Sequence, residues 1–259
     1  MTTARTRLAL GLVGLAGFLL LLEVFPRAGL VPARYLPPAT EIGVALGGEL
    51  SEPAFWSALR DTLHGWVLGL LIAAVAGIAL GLLIGATPVL RELTASTIEF
   101  LRPIPSVALI PLVVVLYGAG LESKLVLVVY AAFWQMLVQV LYGVRDVDPV
   151  ADDTARAYGL NRPARIAHVL WPTALPYVMT GLRLAAAVAL ILCVTGELVI
   201  GAPGLGSRIA VAQSSGAVAD MYALIVVTGL LGVAINVGAR AVERHALAWH
   251  QSVRGEAAV

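Results

Sequence analysis

Residues 152–176, DDTARAYGLNRPARIAHVLWPTALP, hold two acids, three arginines and a histidine between apolar runs. Just upstream, Asp148 and Pro149 make a helix start: the carboxylate accepts from first-turn N–H groups, and proline is tolerated in that turn. Asp152 and Asp153 suit the positive N-terminal end of the same helix. Gly159 can close it in a left-handed cap. Pro163 restricts Arg162 and predicts a turn at NRP, and ARIAHVLW predicts a second short helix before Pro172 and Pro176 lead into the next apolar run. Two short helices joined by a tight turn form a rigid polar knob. Such a knob is suited to docking a partner.

The other chemically capable residues lie inside apolar runs. Arg183 and Glu197 are costly there, at roughly 2.5 to 3.5 kcal/mol for a charge at mid-membrane. They are fourteen positions apart on one predicted helix, about 21 Å, and cannot pair with each other. Glu197 either lines or gates a pathway, or both charges sit near opposite interfaces and reach for water. Trp134, Gln135, Gln139 and Asn236 either meet a solute or bridge helices. The segment APGLGSR, 202–208, reads as a flexible gate or docking loop. An anion cradle of backbone amides is the alternative. His64, His168, His245 and His250 are too scattered for a metal site. No nucleophile, base and orienter share a recognisable spacing, and no Gly-x-x-x-x-Gly-Lys-Ser/Thr stretch is present to hold nucleotide phosphates.

These residues need a membrane scaffold. The 259 residues are 59% hydrophobic and 13% charged, against about 25% charged in a soluble domain. Too little polar surface remains to clothe a water-soluble globule. With a net charge of +1 and no basic stripe, nucleic acid is not a predicted partner. Cys193 is the only cysteine, so no intrachain disulfide forms. The fold class is therefore all-α and polytopic, with about six membrane helices near Leu8–Leu22, Gly65–Ala86, Ile104–Gly118, Leu125–Leu141, Leu175–Gly201 and Met221–Ala239. The first could be a signal peptide, but no clear cleavage site follows it, and we read it as retained.

With the N-terminus inside, eleven basic residues face the cytoplasm: Arg5, Arg7, Arg91, Arg102, Arg145, Arg156, Arg162, Arg165, Arg240, Arg244 and Arg254. Five face out: Arg27, Arg34, Arg60, Lys124 and Arg208. The positive-inside bias then puts both termini and the 152–176 knob in the cytoplasm. FPRAGLVPARYLPP, in the external segment 23–60, is predicted extended, and Ser51 with Pro53 is predicted to start a helix. Gly65, Gly69, Ala73, Gly77, Gly81 and Gly85 recur every fourth residue. That stripe is either a packing seam for a second helix or a sliding face. LRPIPSVALIP predicts a kinked, short or discontinuous helix.

The knob resembles the EAA loop of ABC importer permeases. Asp153, Thr154, Ala155 and Gly159 fall at that pattern's first positions, and Val169, Trp171 and Pro172 at its last, with Arg156 between them. Asp replaces Glu, Thr replaces the first Ala, Val replaces Ile and Trp replaces Leu. The segments FLRPIPSVALIPLVVVLYGAG, GVRDVDP, LPYVMTGLRLAAAVA and GELVIGAPGLGSRI resemble the nitrate, sulfonate and taurine branch of the family. The resemblance runs from about Leu36 to the Arg244 region. It implies a type I importer permease fold with cytoplasmic coupling helices and an N-terminal helix and external linker over 1–35. A transport domain would cover 36–247, with its coupling loop at 148–176, and a cytoplasmic tail 248–259. It also implies a cell-membrane location, a second permease copy in a homodimer, two ATPase subunits holding ATP-Mg, and an extracytoplasmic solute-binding protein. No cofactor is implied on this chain. The implied solute is a small anion, with a pyrimidine or aromatic solute as the alternative. From the residues alone, a self-contained secondary transporter is the competing reading.

Overall fold

A computed structural model describes residues 4–249, without the side chains of residues 4, 5, 7 and 8. The side chains of Arg5 and Arg7, together with His250, Arg254 and residues 250–259 of the expected tail, lie outside the described residues. The elements are all helical: α1 (Ala4–Arg27), α2 (Ala39–Ser51), α3 (Pro53–Ala86), α4 (Pro88–Leu101), α5 (Ile110–Tyr117), α6 (Leu121–Arg145), α7 (Pro149–Ala157), α8 (Arg162–Arg165), α9 (Trp171–Ile200), α10 (Leu205–Ser215) and α11 (Val218–Ala246). A 3-10 turn precedes α5 and a π turn, Ile166–Leu170, joins α8 to α9.

The bundle is organised around α6, which lies between α3 and α9. The small-residue stripe is the reason α3 comes so close. A Cβ added at Gly65 would lie 2.6 Å from Lys124 Cε, and one at Gly77 would lie 2.5 Å from Met136 Cβ. Gly69, Gly81 and Gly85 face Val128, Val140 and Val144 in the same way. Each glycine on α3 thus receives a side chain from the matching four-residue row of α6. Close approach of this kind replaces the hydrophobic drive that lipid cannot supply. The packing-seam reading is the one the structure supports.

Five helices are long and apolar enough to cross a membrane, and six spans result if α4 and the 106–117 pair count as one. That pair is bent by 81°. Pro103 and Pro105 remove the donors that would have continued α4, and the Tyr130 hydroxyl donates to Leu101 O at 2.7 Å to hold the bend. The third apolar run is therefore sharply bent rather than one straight helix, in line with its prolines. Other boundaries differ from the sequence reading. The second span starts at Pro53, so its 34 residues extend about 51 Å and project beyond a bilayer.

Ser51 does not cap α3. It ends α2 and donates to Gly47 O at 2.9 Å. The segment expected to be extended contains instead the end of α1, through Arg27, and a series of turns, and α2 follows it. Glu23 accepts from both the amide and the hydroxyl of Thr40, at 3.0 Å each, and so ties α1 to the start of α2. The stretch expected as a flexible glycine loop is packed into the protein: Ala202, Gly204, Leu205 and Gly206 are buried, and α10 follows at once.

Candidate functional site

Two polar constructions stand at opposite ends of the bundle. The first is the knob. The Asp148 side chain accepts from Val150 N at 2.8 Å and caps α7 as expected. Gly159, at φ +77°, turns the chain where other residues are strained. Its amide donates to Arg156 O at 2.9 Å, and Leu160 N donates to Ala155 O at 3.0 Å, closing the helix end. The Asn161 side chain then caps α8 through Ala164 N at 3.0 Å. The second expected short helix is not separate. The π turn carries α8 directly into α9, in one apolar run from Arg162 to Ile200. Pro172 lies in the first turn of α9 and lacks an N–H, and Trp171 N bonds back to Ile166 O, a five-residue step.

Asp152 fastens α7 to this base. It accepts from Arg165 Nε and from Arg156 Nη2, each at 2.8 Å. The Arg165 hydrogen bonds hold the Asp152 carboxyl below its ordinary range, against a smaller opposing effect of desolvation and with added help from Arg156. Ala155 is buried against the base, while Asp153, Thr154, Arg156 and Gly159 are exposed. Tyr158 is the most exposed of the aromatic side chains here, at 82%. Val169, Trp171 and Pro172 are half-buried where the run enters the bundle. The Asp152–Arg165 fastening went unread in the sequence, although the two charges were visible thirteen residues apart.

At the other end, Glu197 and Lys124 form a buried ion pair at 3.0 Å, with side chains 0% and 2% exposed. All three ammonium protons of Lys124 are used: the other two go to Asp61 O at 3.1 Å and Pro203 O at 3.0 Å. The second Glu197 oxygen accepts from the Thr62 hydroxyl at 2.9 Å and Gly206 N at 3.0 Å. Thr62 in turn accepts from Leu205 N at 2.9 Å. The network joins α3, α6, α9 and the turn before α10. Glycine at 204 is required by that closeness, since a Cβ there would fall 2.0 Å from Glu197 Cδ.

Glu197 is thus enclosed rather than reaching for water, and Lys124, expected in a loop, is buried within the bundle. Arg183 pairs with Glu243 of α11 at 3.2 Å.

The remaining candidates are not gathered in one place. Trp134 is 8% exposed in an apolar cluster with Ile84, Leu137 and Leu141, and its indole N–H has no hydrogen-bond partner among the described residues. Gln135 and Gln139 are half-buried one turn apart on α6, and Gln139 packs against Gly181 of α9. Asn236 is half-buried on α11, which packs on α2, α9 and α10. Among the described residues, no group of three or more His, Cys, Asp or Glu side chains is placed to hold a metal.

Residues 64–247 match the family described as binding-protein-dependent transport system inner membrane component. The taurine transport system permease protein TauC of Escherichia coli strain K12 is 30% identical over 230 residues, 87% of this chain and 84% of that one. The nitrate import permease protein NrtB of Leptolyngbya laminosa is 28% identical, covering 73% of this chain and 68% of its own. Among solved structures, a chain of the MetNI methionine ABC transporter in an inward facing conformation superposes with a TM-score of 0.65 at 20% identity, over 76% of this chain and 99% of that one. A self-contained carrier gives way before these matches. The chain belongs to the family of binding-protein-dependent transport system inner membrane components and is an ABC importer permease, a transport subunit rather than an enzyme.

Proposed function

We propose that this chain forms the solute pathway of an importer for a small anion, such as a sulfonate, taurine, nitrate or bicarbonate. It would pair with a second copy of itself and dock two cytoplasmic ATPase subunits that hold ATP-Mg. An extracytoplasmic solute-binding protein would deliver the solute, and both termini would lie in the cytoplasm. The domain division is 1–35, 36–247 with the coupling loop 148–176, and 248–259. The observation that carries the coupling role is the fastening of α7: Asp152 and Ala155 grip the base and leave Asp153, Thr154, Arg156, Tyr158 and Gly159 facing outward. A helix held this way transmits a push to α9 without bending, and Val169, Trp171 and Pro172 are where that push enters the bundle.

For an anion, the pathway needs N–H donors. The unpartnered Trp134 indole and the Gln135 and Gln139 amides supply that chemistry, with Asn236 as a further donor. Arg183 and Glu197 serve as charge anchors of the moving helices.

The test is co-purification of the tagged chain with its ATPase subunit from cells expressing the whole transporter. Gly159→Glu places a charge on the docking face. Its Cβ meets nothing within 4 Å, and the left-handed backbone costs about 1 to 2 kcal/mol, so the chain still reaches the membrane. The expected result is loss of the ATPase subunit at unchanged membrane level. Retained ATPase with full uptake refutes the docking role.

A further inference from the structure

A cavity of about 860 Å³ lies between the last turn of α3, the start of α4 and the α7–α8 element. Its deep wall is apolar, with Leu82, Val144 and Leu170, and its mouth carries Arg156, Arg162 and Arg165. Asp152 is the only carboxylate among the lining residues, so three positive charges against one negative leave a net charge of +2. That carboxylate is already engaged by Arg165 and Arg156. The Arg162 side chain makes no hydrogen bond or ion pair with any described residue. The cavity thus presents a free guanidinium beside two further arginines that line it.

Its depth in the membrane identifies the occupant. The charge-free run of α3, residues 65–86, is about 33 Å long, which matches a hydrocarbon core of about 30 Å. Leu82 and Ala86 therefore sit where hydrocarbon gives way to headgroups. Leu83, on the same wall, is 55% exposed and faces outward.

We propose that this cavity binds an anionic phospholipid: the arginines take the headgroup phosphate and the apolar wall takes the start of an acyl chain. Guanidinium forks match phosphate oxygens in pairs, and basic pockets between helices at the membrane edge are suited to such headgroups. A free phosphate would use the arginines and leave the wall unmatched. A docking protein would meet the exposed face of α7 rather than a recess level with the bilayer. The inference needs the bundle to be membrane-embedded and shares Arg156 with the proposed docking face, so its test rests on Arg162, which that face does not use.

The experiment is native mass spectrometry of the purified full chain titrated with phosphatidylglycerol, phosphatidylcholine or inorganic phosphate. Phosphatidylglycerol should be retained in preference to phosphatidylcholine, and equal inorganic phosphate should not displace it. Arg162→Gln should cut that retention about fivefold, the contribution of one basic side chain near an anionic surface. Arg162→Lys should preserve most of it. Ala86→Phe, at an exposed position on the wall, should also reduce it by filling the recess. Equal retention of the two lipids, or no effect of Arg162→Gln, overturns the proposal. Displacement by inorganic phosphate would make this a free-anion site instead, and displacement by the ATPase subunit would assign the cavity to protein docking.

Discussion

Glu197→Gln is isosteric, yet it should be among the most destabilising single changes in this protein. The carboxylate accepts from Lys124 on one oxygen and from Thr62 and Gly206 on the other. A glutamine has only one acceptor oxygen. If the oxygen faces Lys124, the NH2 meets the donors of Thr62 and Gly206. If it is turned round, the NH2 meets the ammonium. Either way Lys124, 2% exposed, loses its counter-ion. Breaking one side of a buried pair costs about 3 to 5 kcal/mol, whereas replacing both sides with apolar groups is often neutral. At about 2 to 4 °C per kcal/mol for a chain of this size, the melting temperature should fall by about 6 to 20 °C. Thermal unfolding of detergent-purified Glu197→Gln, Lys124→Met and the double variant Lys124→Met/Glu197→Leu measures this. The single variants should melt far below the wild type and the double variant should recover most of the loss. Single variants that melt within about 2 °C of the wild type, an interval well below the smallest predicted shift, would refute the reasoning.

Further outcomes follow from the packing and the charges. Gly77→Ala puts a Cβ 2.5 Å from Met136 Cβ and should cost about 1 to 3 kcal/mol by forcing α3 off α6. Gly14→Ala meets nothing within 4 Å and should leave the melting curve unchanged. The Asp152 fastening should withstand mild acid. Its carboxyl titrates below the ordinary range, so the stability it confers is fully present above an unfolded value of about 3.9 and is lost only as pH falls through the lower folded value. Hydrogen exchange across 149–165 should therefore show the same protection at neutral and mildly acidic pH, and Asp152→Asn should speed exchange at both. Arg208→Gln should free α2 from α10, because Arg208 pairs with Glu49 at 2.6 Å and Glu52 at 2.8 Å; limited proteolysis between α2 and α3 should accelerate.

What the sequence made legible is local or periodic. The four-residue glycine stripe announced a close helix pair because only small residues permit such an approach. The Asp148 cap and the Gly159 turn could be read within a few positions of each other. The bend at Pro103 and Pro105 was visible as missing donors. What escaped depends on distant partners. Lys124 and Glu197 are 73 residues apart, and each alone reads as an interface charge. The available signal was that Lys124 is the chain's only lysine, standing at the edge of an apolar run. The 202–208 segment reads as a flexible loop from its glycines, yet Gly204 and Gly206 answer a tertiary demand, the approach of Glu197. In the knob, the helix breaker Pro172 suggested a boundary, but proline in a first turn lets the π turn pass straight into α9. The start of α2 was hidden behind Pro37 and Pro38, which open it rather than extend the linker.

The central claim, that α7 is the surface on which the ATPase acts, is tested most directly by cross-linking from Tyr158. Cys193 is the only native cysteine and is fully buried, so Tyr158→Cys offers a single reactive thiol on the outermost part of the knob. With a short thiol-linked photoreactive probe at that position in membranes containing the whole transporter, the predicted result is an adduct with the ATPase subunit that weakens when Gly159→Glu is added. Efficient labelling of the Tyr158→Cys variant by the probe with no ATPase adduct would contradict the account.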